Sequence, residues 1–586
     1  MTTISGIETA TVVLRKNRLG STLNVTPTGT IAPSAYRGVG VVAPAALTSA
    51  SVFNYGSVLG GLGASGGTHG DGATGGVAVA FLSQGLLENH SLMAGGRGGY
   101  GGKDGGQGGA GIIAGAAYAI NSGVVDGGAG GFGATLGGPG GAGIVLEKGA
   151  TLENSGRVNG GDGGAGGFYA YGGGGGAGVV VVAPDRVSNT GAIVGGAGGA
   201  GYRGGQAGGP PYGNGHAGAG IVFAAGGSLL NGGLIMAGAA GWGTMPGADA
   251  VDFAGTGSIV NSGLILGGAG AYYSVEAFAG GETGGRGVDF AGSGTLTNSG
   301  TIAGGAGGIA SGSAIGGFFR GGTGGVGVDL AAAHLVNRGV IAGGAGGGSY
   351  IGAYYPQLGG AGGAGVRIVA SGSTLLNTGL VSGGTGGGGV LLQGGTGGTG
   401  VILPTGAIAG NTGIIAGGAG GYSSYAKAGG KGGTGVLING GTLDNAGIVA
   451  GGIGGVGLTG RGASGLAVQF GAAGGEIIEA QGAALHGAFG GWAPGATIDL
   501  SGVIAQSLGF LSGTLTLYSA IHTTVDAFAF QGSLSSADFA LTPDGAGGTF
   551  VTDPAAAVPL PATNPLGDDQ PGPAHWLFDN SHPTFG

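Results

Sequence analysis

A module built around one asparagine recurs along most of this 586-residue chain, and it restricts the possible folds more than any other feature. The spacing between copies is 30 to 42 residues. Two residues after the asparagine stands Gly in 11 of 12 copies, and seven residues after it stands Gly in all. The position four residues after it is always Val, Ile or Met. The asparagines are Asn54, Asn89, Asn121, Asn154, Asn189, Asn231, Asn261, Asn298, Asn337, Asn377, Asn411 and Asn445. Self-similarity at such a period indicates a solenoid.

The clearest copy, GVDFAGSGTLTNSGTIAGGAGG (287–308), contains three short apolar stretches about six residues apart. Three short strands joined by glycine-bearing corners form one turn of a parallel β-helix. The sequence therefore predicts an all-β fold, a parallel β-helix (β-solenoid) of about 12 coils. We expect Gly300 and its equivalents to supply the positive φ of a corner. We also expect the asparagines to stack as a hydrogen-bonded ladder.

Glycine-rich inserts separate the modules and account for many of the 167 glycines. They read as Gly-Gly-X triplets, as in 195–209, 321–327 and 394–400. A three-residue period suits a polyproline-II-like helix, and faces without Cβ atoms can pack backbone to backbone. We expect each coil to extend an insert from the same corner, so that the inserts stack into a glycine fin. The alternative is that the inserts are flexible loops.

Composition divides the chain into four segments. Residues 1–50 are predicted to be an N-terminal β cap and 51–470 the glycine-rich solenoid. Residues 471–553 contain alternating stretches such as GTLTLYSA (513–520), which predict a C-terminal β segment that caps the open end. Residues 554–586 form a Pro-rich tail with an apolar strip, Trp576 to Phe578.

Aromatic residues concentrate in the inserts, although a solenoid core would place them on strands. They could stack on sugars, contact a neighbouring molecule, or cover the ends of the inserts. The candidate contact residues are Tyr169, Tyr171, Trp242, Tyr272, Tyr273, Phe318, Phe319, Tyr350, Tyr354, Tyr355, Tyr422 and Tyr425.

The charge pattern argues against several functional classes. A net charge of −9 offers no footprint for nucleic acid, and no apolar run reaches the length of a membrane-spanning helix. Asp252, Asp289 and Asp329 recur once per coil, which we interpret as a solvent-facing row. GGRGVDFAG (284–292) matches a calcium-binding nonapeptide only in part and has no tandem copy. We therefore expect no catalytic, cofactor-binding or metal-binding residues, and no enzyme.

The module 287–308 and the GGAGG inserts resemble the passenger repeats of bacterial autotransporter-like surface proteins and adhesins. DFALTPDGAGGTFVT (538–552) is similar to a C-terminal strand unit of large secreted bacterial proteins. No evident outer-membrane barrel strands or signal peptide accompany them. The resemblance implies a non-catalytic extracellular or cell-surface protein that self-associates into a filament or biofilm matrix. A carbohydrate-binding surface adhesin is the alternative, with surface polysaccharide as partner, and a polysaccharide-degrading β-helix is a third reading.

Overall fold

The computed structural model describes residues 1–15, 21–168, 170–201, 213–240, 245–271, 273–274, 280–311, 319–349, 357–425 and 428–554. Three columns of parallel strands run through these residues, and each coil contributes one strand to each column. This confirms the parallel β-helix. The only described helix is the short 3₁₀ turn Ser536–Asp538.

The first column begins each coil. It contains Val12–Val13, Val41–Ala43, Val79–Phe81, Ile112–Ala114, Ile144–Leu146, Val179–Val181, Ile221–Phe223, Val251–Phe253, Val366–Ile368, Val401–Pro404, Val436–Asn439, Val468–Phe470 and Phe489–Gly490. Two longer strands, Val288–Asn298 and Val328–Asn337, belong to the first column and continue into the second.

The second column, here called the asparagine column, carries the repeated asparagine at the end of most strands. It contains Thr2–Ile4, Thr22–Val25, Ala50–Asn54, Gly85–Asn89, Ala117–Asn121, Thr151–Asn154, Asp185–Asn189, Gly226–Asn231, Thr256–Asn261, Thr374–Asn377, Ile408–Asn411, Thr442–Asn445, Gly475–Ala480 and Ala496–Ser501.

The third column follows the asparagine corner and has 15 strands in the part of the chain that the structure describes. They are Ile7–Glu8, Thr30–Ile31, Ser57–Leu59, Leu92–Ala94, Val124–Asp126, Arg157–Asn159, Ala192–Val194, Leu234–Met236, Leu264–Leu266, Thr301–Ala303, Val340–Ala342, Leu380–Ser382, Ile414–Ala416, Ile448–Ala450 and Ala484–His486. The figure of 12 coils is thus not confirmed, since strands within 1–50 and after 470 stack in the same columns without an asparagine.

The core lies between the three columns. In one coil Val288, Phe290, Leu296 and Ile302 are all fully buried, as their spacing predicts. Equivalent rings stack from coil to coil: the ring centroids of Phe253 and Phe290 are 4.7 Å apart. Because β-strands alternate their side chains, the residues between these positions face outward.

The asparagines form the predicted ladder inside the corner that joins the second and third columns. Each Nδ2 donates to the Oδ1 of the asparagine one coil further along, at 2.7 to 2.9 Å, from Asn54 to Asn445. All 12 are buried, with at most 2% of the residue exposed. A buried amide needs partners for its donors and its acceptor, and the stack supplies them.

The expected positive φ at Gly300 is wrong. Gly300 is not among the residues with positive φ, which is found at other glycines such as Gly294 (141°). Instead, a Cβ on Gly300 would collide with the carbonyl oxygen of Gly263 in the preceding coil. The repeated glycine two residues after the asparagine is therefore required by close packing between coils.

Backbone hydrogen bonds hold the inserts together in the part of the chain that the structure describes. Each insert has an outgoing run, which leaves the third column, and a return run, which leads into the next first-column strand. The two kinds of run alternate in a continuous series: Gly384 N donates to Gly363 O, Gly363 N to Gly344 O, Gly344 N to Gly325 O and Gly325 N to Gly305 O, at 2.7 to 2.8 Å. The glycine fin is therefore a hydrogen-bonded structure.

The fin has two layers, one of outgoing runs and one of return runs. Within the outgoing layer Gly307 N donates to Ala345 O at 2.8 Å, and within the return layer Gly324 N donates to Ala361 O at 2.8 Å. Two residues of every triplet face neighbouring runs, which leaves the third to face solvent. This is the three-residue periodicity of a polyproline-II-like chain.

The C-terminal β segment closes the far end of the solenoid. Ala496–Ser501 pairs with the antiparallel strand Thr549–Thr552, which pairs with Ala540–Pro543. A separate antiparallel sheet, Ser507–Leu511, Thr514–Tyr518 and Thr524–Ala529, lies beside it. Short two-stranded pairs also occur at the ends of inserts: Tyr273–Ser274 with Ala310–Ser311, and Phe319–Arg320 with Gln357–Leu358.

Candidate functional site

One side of the molecule carries three parallel rows of uncharged side chains, here called the apolar face. The rows lie three, five and eight residues after each asparagine in eight successive coils. They are Ala192, Leu234, Leu264, Thr301, Val340, Leu380, Ile414 and Ile448; Val194, Met236, Leu266, Ala303, Ala342, Ser382, Ala416 and Ala450; and Ala197, Ala239, Ala269, Ala306, Ala345, Thr385, Ala419 and Ile453.

The first two rows lie on the outer surface of the third column and the last row on the outgoing layer of the fin. They share one side, because a shallow depression of about 470 Å³ at one end of the rows is lined by Val194 and Met236 from the column and by Ala197 and Ala239 from the fin. The same depression continues to Asp126, Arg157 and Asp162 of the preceding coils. None of the 24 side chains in the three rows is buried and none is charged. Small and apolar residues therefore form a regular array on this surface.

The opposite side of the fin, here called the polar face, is built by the return layer. Hydroxyl and charged side chains occupy many outward-facing third positions of its triplets, interspersed with apolar residues such as Val326, Ala361 and Ala364. The hydroxyl and charged residues are Asp249, Thr283, Arg286, Thr323, Thr396, Thr399, Lys431 and Thr434. The two faces of the fin therefore differ in polarity although both are built from Gly-Gly-X triplets.

An ion cluster lies where the polar face meets the first column. Asp252, Asp289, Asp329 and Arg367 occupy the same register in four consecutive coils. Arg367 Nε donates to Asp329 Oδ1 at 3.0 Å, and Arg286 Nε lies 3.2 Å from the other carboxylate oxygen of Asp329. Arg286 also pairs with Asp289. The interpretation of a solvent-facing row is wrong for Asp329, of which only 5% is exposed.

Burial and pairing set the electrostatics of this cluster. Burial raises the pKa of Asp249 to about 6, although the hydrogen bond from the backbone N–H of Arg286 acts to lower this pKa. Burial likewise raises the pKa values of Asp252 and Asp289. The hydrogen bond to Asp329 raises the pKa of Arg367. A small cleft of about 520 Å³ adjoins these groups. Two guanidinium groups offset part of the charge of the four carboxylates, and their ion pairs with Asp329 join neighbouring coils.

The predicted contact aromatics divide into four groups. Tyr171, Tyr422 and Tyr425 are 43%, 49% and 62% exposed at the fin edge. Phe319 is fully buried, so the prediction of a contact role is wrong for that ring. Tyr273 lies in the strand Tyr273–Ser274. The others lie outside the described residues: Tyr169, Trp242, Tyr272, Phe318, Tyr350, Tyr354 and Tyr355.

Further exposed rings at the fin edge were missing from the predicted set. Tyr100 is 52% exposed and stacks on Phe132, with ring centroids 5.2 Å apart, and Phe168 is 69% exposed. The inserts bring these residues to one edge, since Gly101 bridges Gly133 and Gly133 bridges Gly166. Their position in the inserts was the feature of the sequence that could have identified them as exposed rings.

Glu479 ends the asparagine ladder, a role that sequence reasoning also missed. It stands 34 residues after Asn445, at the ladder position of the next coil, and accepts from Asn445 Nδ2 at 3.1 and 3.3 Å. Only 6% of Glu479 is exposed, and burial raises its pKa to about 7. A cleft of about 700 Å³ here is also lined by Asp526. The repeat spacing could have identified the position, but not the change of residue.

Within the described residues, no helix has the length and apolar character needed to cross a membrane. The chain matches no known family model, and neither a curated protein nor a solved structure matches it.

Proposed function

We propose that this protein is a non-catalytic extracellular structural protein that self-associates into a surface filament or matrix. The observation that carries the proposal is the two-layered glycine fin, which holds an aromatic edge outside the solenoid core and forms an apolar face together with the third column. These apolar and aromatic side chains are not buried in the folded chain, so packing of the core does not explain them. An association surface explains them, because large exposed apolar surfaces mark sites of interaction.

Rigidity supports a structural role. Parallel strands rise about 4.8 Å per coil, so the 15 coils of the third column extend for about 70 Å. The asparagine ladder, the stacked core rings and the ion cluster each join one coil to the next. A rod whose coils are joined in these ways can transmit force and keep its surface rows in register.

The experiment is negative-stain electron microscopy of the full chain over a range of concentrations. We expect ordered assemblies, and we expect the double variant Tyr422→Ser/Tyr425→Ser to form fewer of them because it removes two exposed rings from the fin edge. Tyr55→Ser is the matched control, since Tyr55 is 43% exposed but stacks on His90 at the asparagine corner, away from the fin. Isolated rods at all concentrations would contradict the proposal.

A carbohydrate-binding surface adhesin is a second candidate, favoured by the exposed Tyr100–Phe132 stack. Exposed aromatic rings can stack on the apolar face of a sugar. On a glycan array, we expect Tyr100→Ser to lose binding that Tyr55→Ser retains. No binding by the unmodified chain would eliminate this candidate.

A further inference from the structure

We infer that the apolar face is the contact surface for a second copy of this chain, and that two copies pair face to face through it. The inference rests on the proposed self-association and specifies its surface and partner. It concerns the broad side of the fin and third column, which is separate from the aromatic edge.

The size of the face suits an interface. Eight coils at about 4.8 Å extend for about 34 Å, and five residues of extended chain span about 16 Å, which gives a projected area of about 550 Å². This is at the upper end of the range of about 300–600 Å² for the largest apolar patch of a typical monomer, and such patches are often functional. Specific complexes bury about 800 Å² per partner, a value within reach once rough side-chain surface and the exposed Ile309 and Val456 on the fin side are included.

Charge indicates where on the molecule two copies can approach. The chain has a net charge of −9, so two copies repel each other over most of their surface. The apolar face is uncharged through eight coils, but the same rows in the preceding coils carry Arg97, Asp126, Arg157 and Asp162. Burying those side chains in a contact would cost desolvation energy. The favourable overlap is therefore limited to the uncharged coils.

The regular spacing of the rows favours a second copy over other occupants. A partner copy has the same distance between coils, so each row of one copy can lie against the same row of the other along the whole contact. A two-fold axis makes this contact self-complementary and closed. If the axis is perpendicular to the rod and passes between the coils of Asn298 and Asn337, the charged coils of both copies stay in solvent.

Sedimentation velocity of the full chain at micromolar concentrations tests this pairing. We expect a dimer, and we expect Ala345→Glu to weaken its dissociation constant at least tenfold by placing a charge at the centre of the contact. The matched control is Thr283→Glu, which adds the same charge at an exposed third position of the polar face and should leave the dimer intact. Circular dichroism verifies that both variants keep the β-helix.

Cross-linking provides an independent readout because the chain has no cysteine. We expect oxidation to join two copies of Ala345→Cys but not of Thr283→Cys. A monomeric wild type, or equal behaviour of the two glutamate variants, would overturn the inference. A monomer that binds phosphatidylcholine vesicles through this face would overturn it in favour of a lipid.

The outcomes also distinguish this inference from the proposed function. Fibres that persist in Ala345→Glu would leave the structural role standing and remove the face-to-face contact. A dimer without fibres at any concentration would support the contact and contradict the filament.

Discussion

The residue type at a repeated position of this fold is set by the contacts that the position makes with the neighbouring coils. Asn298 illustrates this: its Oδ1 accepts from Asn261, and its Nδ2 donates to Asn337 Oδ1 at 2.9 Å and to Gly300 O at 3.2 Å. Only a side chain with a donor and an acceptor on one short stem can do all three at a buried corner. Because every coil meets the same demand, the residue recurs.

Replacing one ladder residue should therefore destabilise the solenoid. Asn298→Ala leaves the Nδ2 of Asn261 and the Oδ1 of Asn337 without these partners, at a cost of about 2–4 kcal/mol. Urea unfolding measures the change. Thr297→Ala is the control, since Thr297 is adjacent but faces outward. Equal losses for the two variants would show that the ladder adds little stability.

Glu479 makes stability depend on pH. Its pKa rises from 4.5 to about 7 on folding, chiefly through burial, and Asp526 adds to the rise. An acid whose pKa is raised on folding contributes fully below the unfolded value, so that contribution is lost as the pH rises from about 4.5 to 7.

We expect Glu479→Gln to match the wild type at pH 4 and to be more stable by about 3 kcal/mol at pH 8, since the amide cannot ionise. The difference between the two urea-unfolding curves, measured from pH 4 to 8, isolates this group from the other carboxylates. A difference that does not change with pH would exclude ionisation of Glu479 as the cause.

At the scale of elements, the fin shows how a chain rich in glycine can be ordered. Its runs bury little apolar side chain, so the order depends on backbone hydrogen bonds between runs that approach closely. Gly344 is typical: it donates to Gly325 and accepts from Gly363, and a Cβ on it would collide with the carbonyl oxygen of Gly305.

Gly344→Ala should consequently open the fin locally. We expect a loss of about 1–3 kcal/mol, the usual cost of overpacking. Hydrogen exchange should show faster exchange in the two inserts on either side. Ala345→Ser alters the neighbouring exposed position and should leave both protected. Rapid exchange of these amides already in the wild type would show that the inserts are not held as a fin.

On the scale of the whole molecule, the rod has two unlike sides and a closed end. Charge and hydroxyls lie towards the polar face and ion cluster, while the apolar face is uncharged over eight coils. The far end is covered by Thr549–Thr552, which pairs with the last parallel strand of the asparagine column. An uncovered strand edge would invite pairing with other chains.

Disrupting this cover should cause aggregation. Val551 is fully buried opposite Ile498, so Val551→Asp should detach the covering strand and expose the edge of Ala496–Ser501. Light scattering should detect larger species than for Thr552→Asp, where the side chain is partly exposed. Scattering that is equally low for both would show that the edge is protected in another way.

Much of the fold followed from local pattern. The spacing of Asn298, Leu296 and Ile302 predicted the corner, the strands and the buried positions, because each coil repeats one short-range arrangement. The Gly-Gly-X period similarly predicted runs that pack through their glycines.

Features that depend on neighbouring coils were decided only by the tertiary structure. Gly300 was assigned a turn conformation, yet its constraint comes from Gly263 in another coil. Asp329 was expected in solvent, but Arg286 and Arg367 reach it from different coils. The apolar face consists of positions far apart in the chain. The sequence by itself determined the strands, the corner and the buried positions of a single coil. Contacts between coils were decided only by the tertiary structure, because each coil packs its backbone and pairs its charges against the next coil.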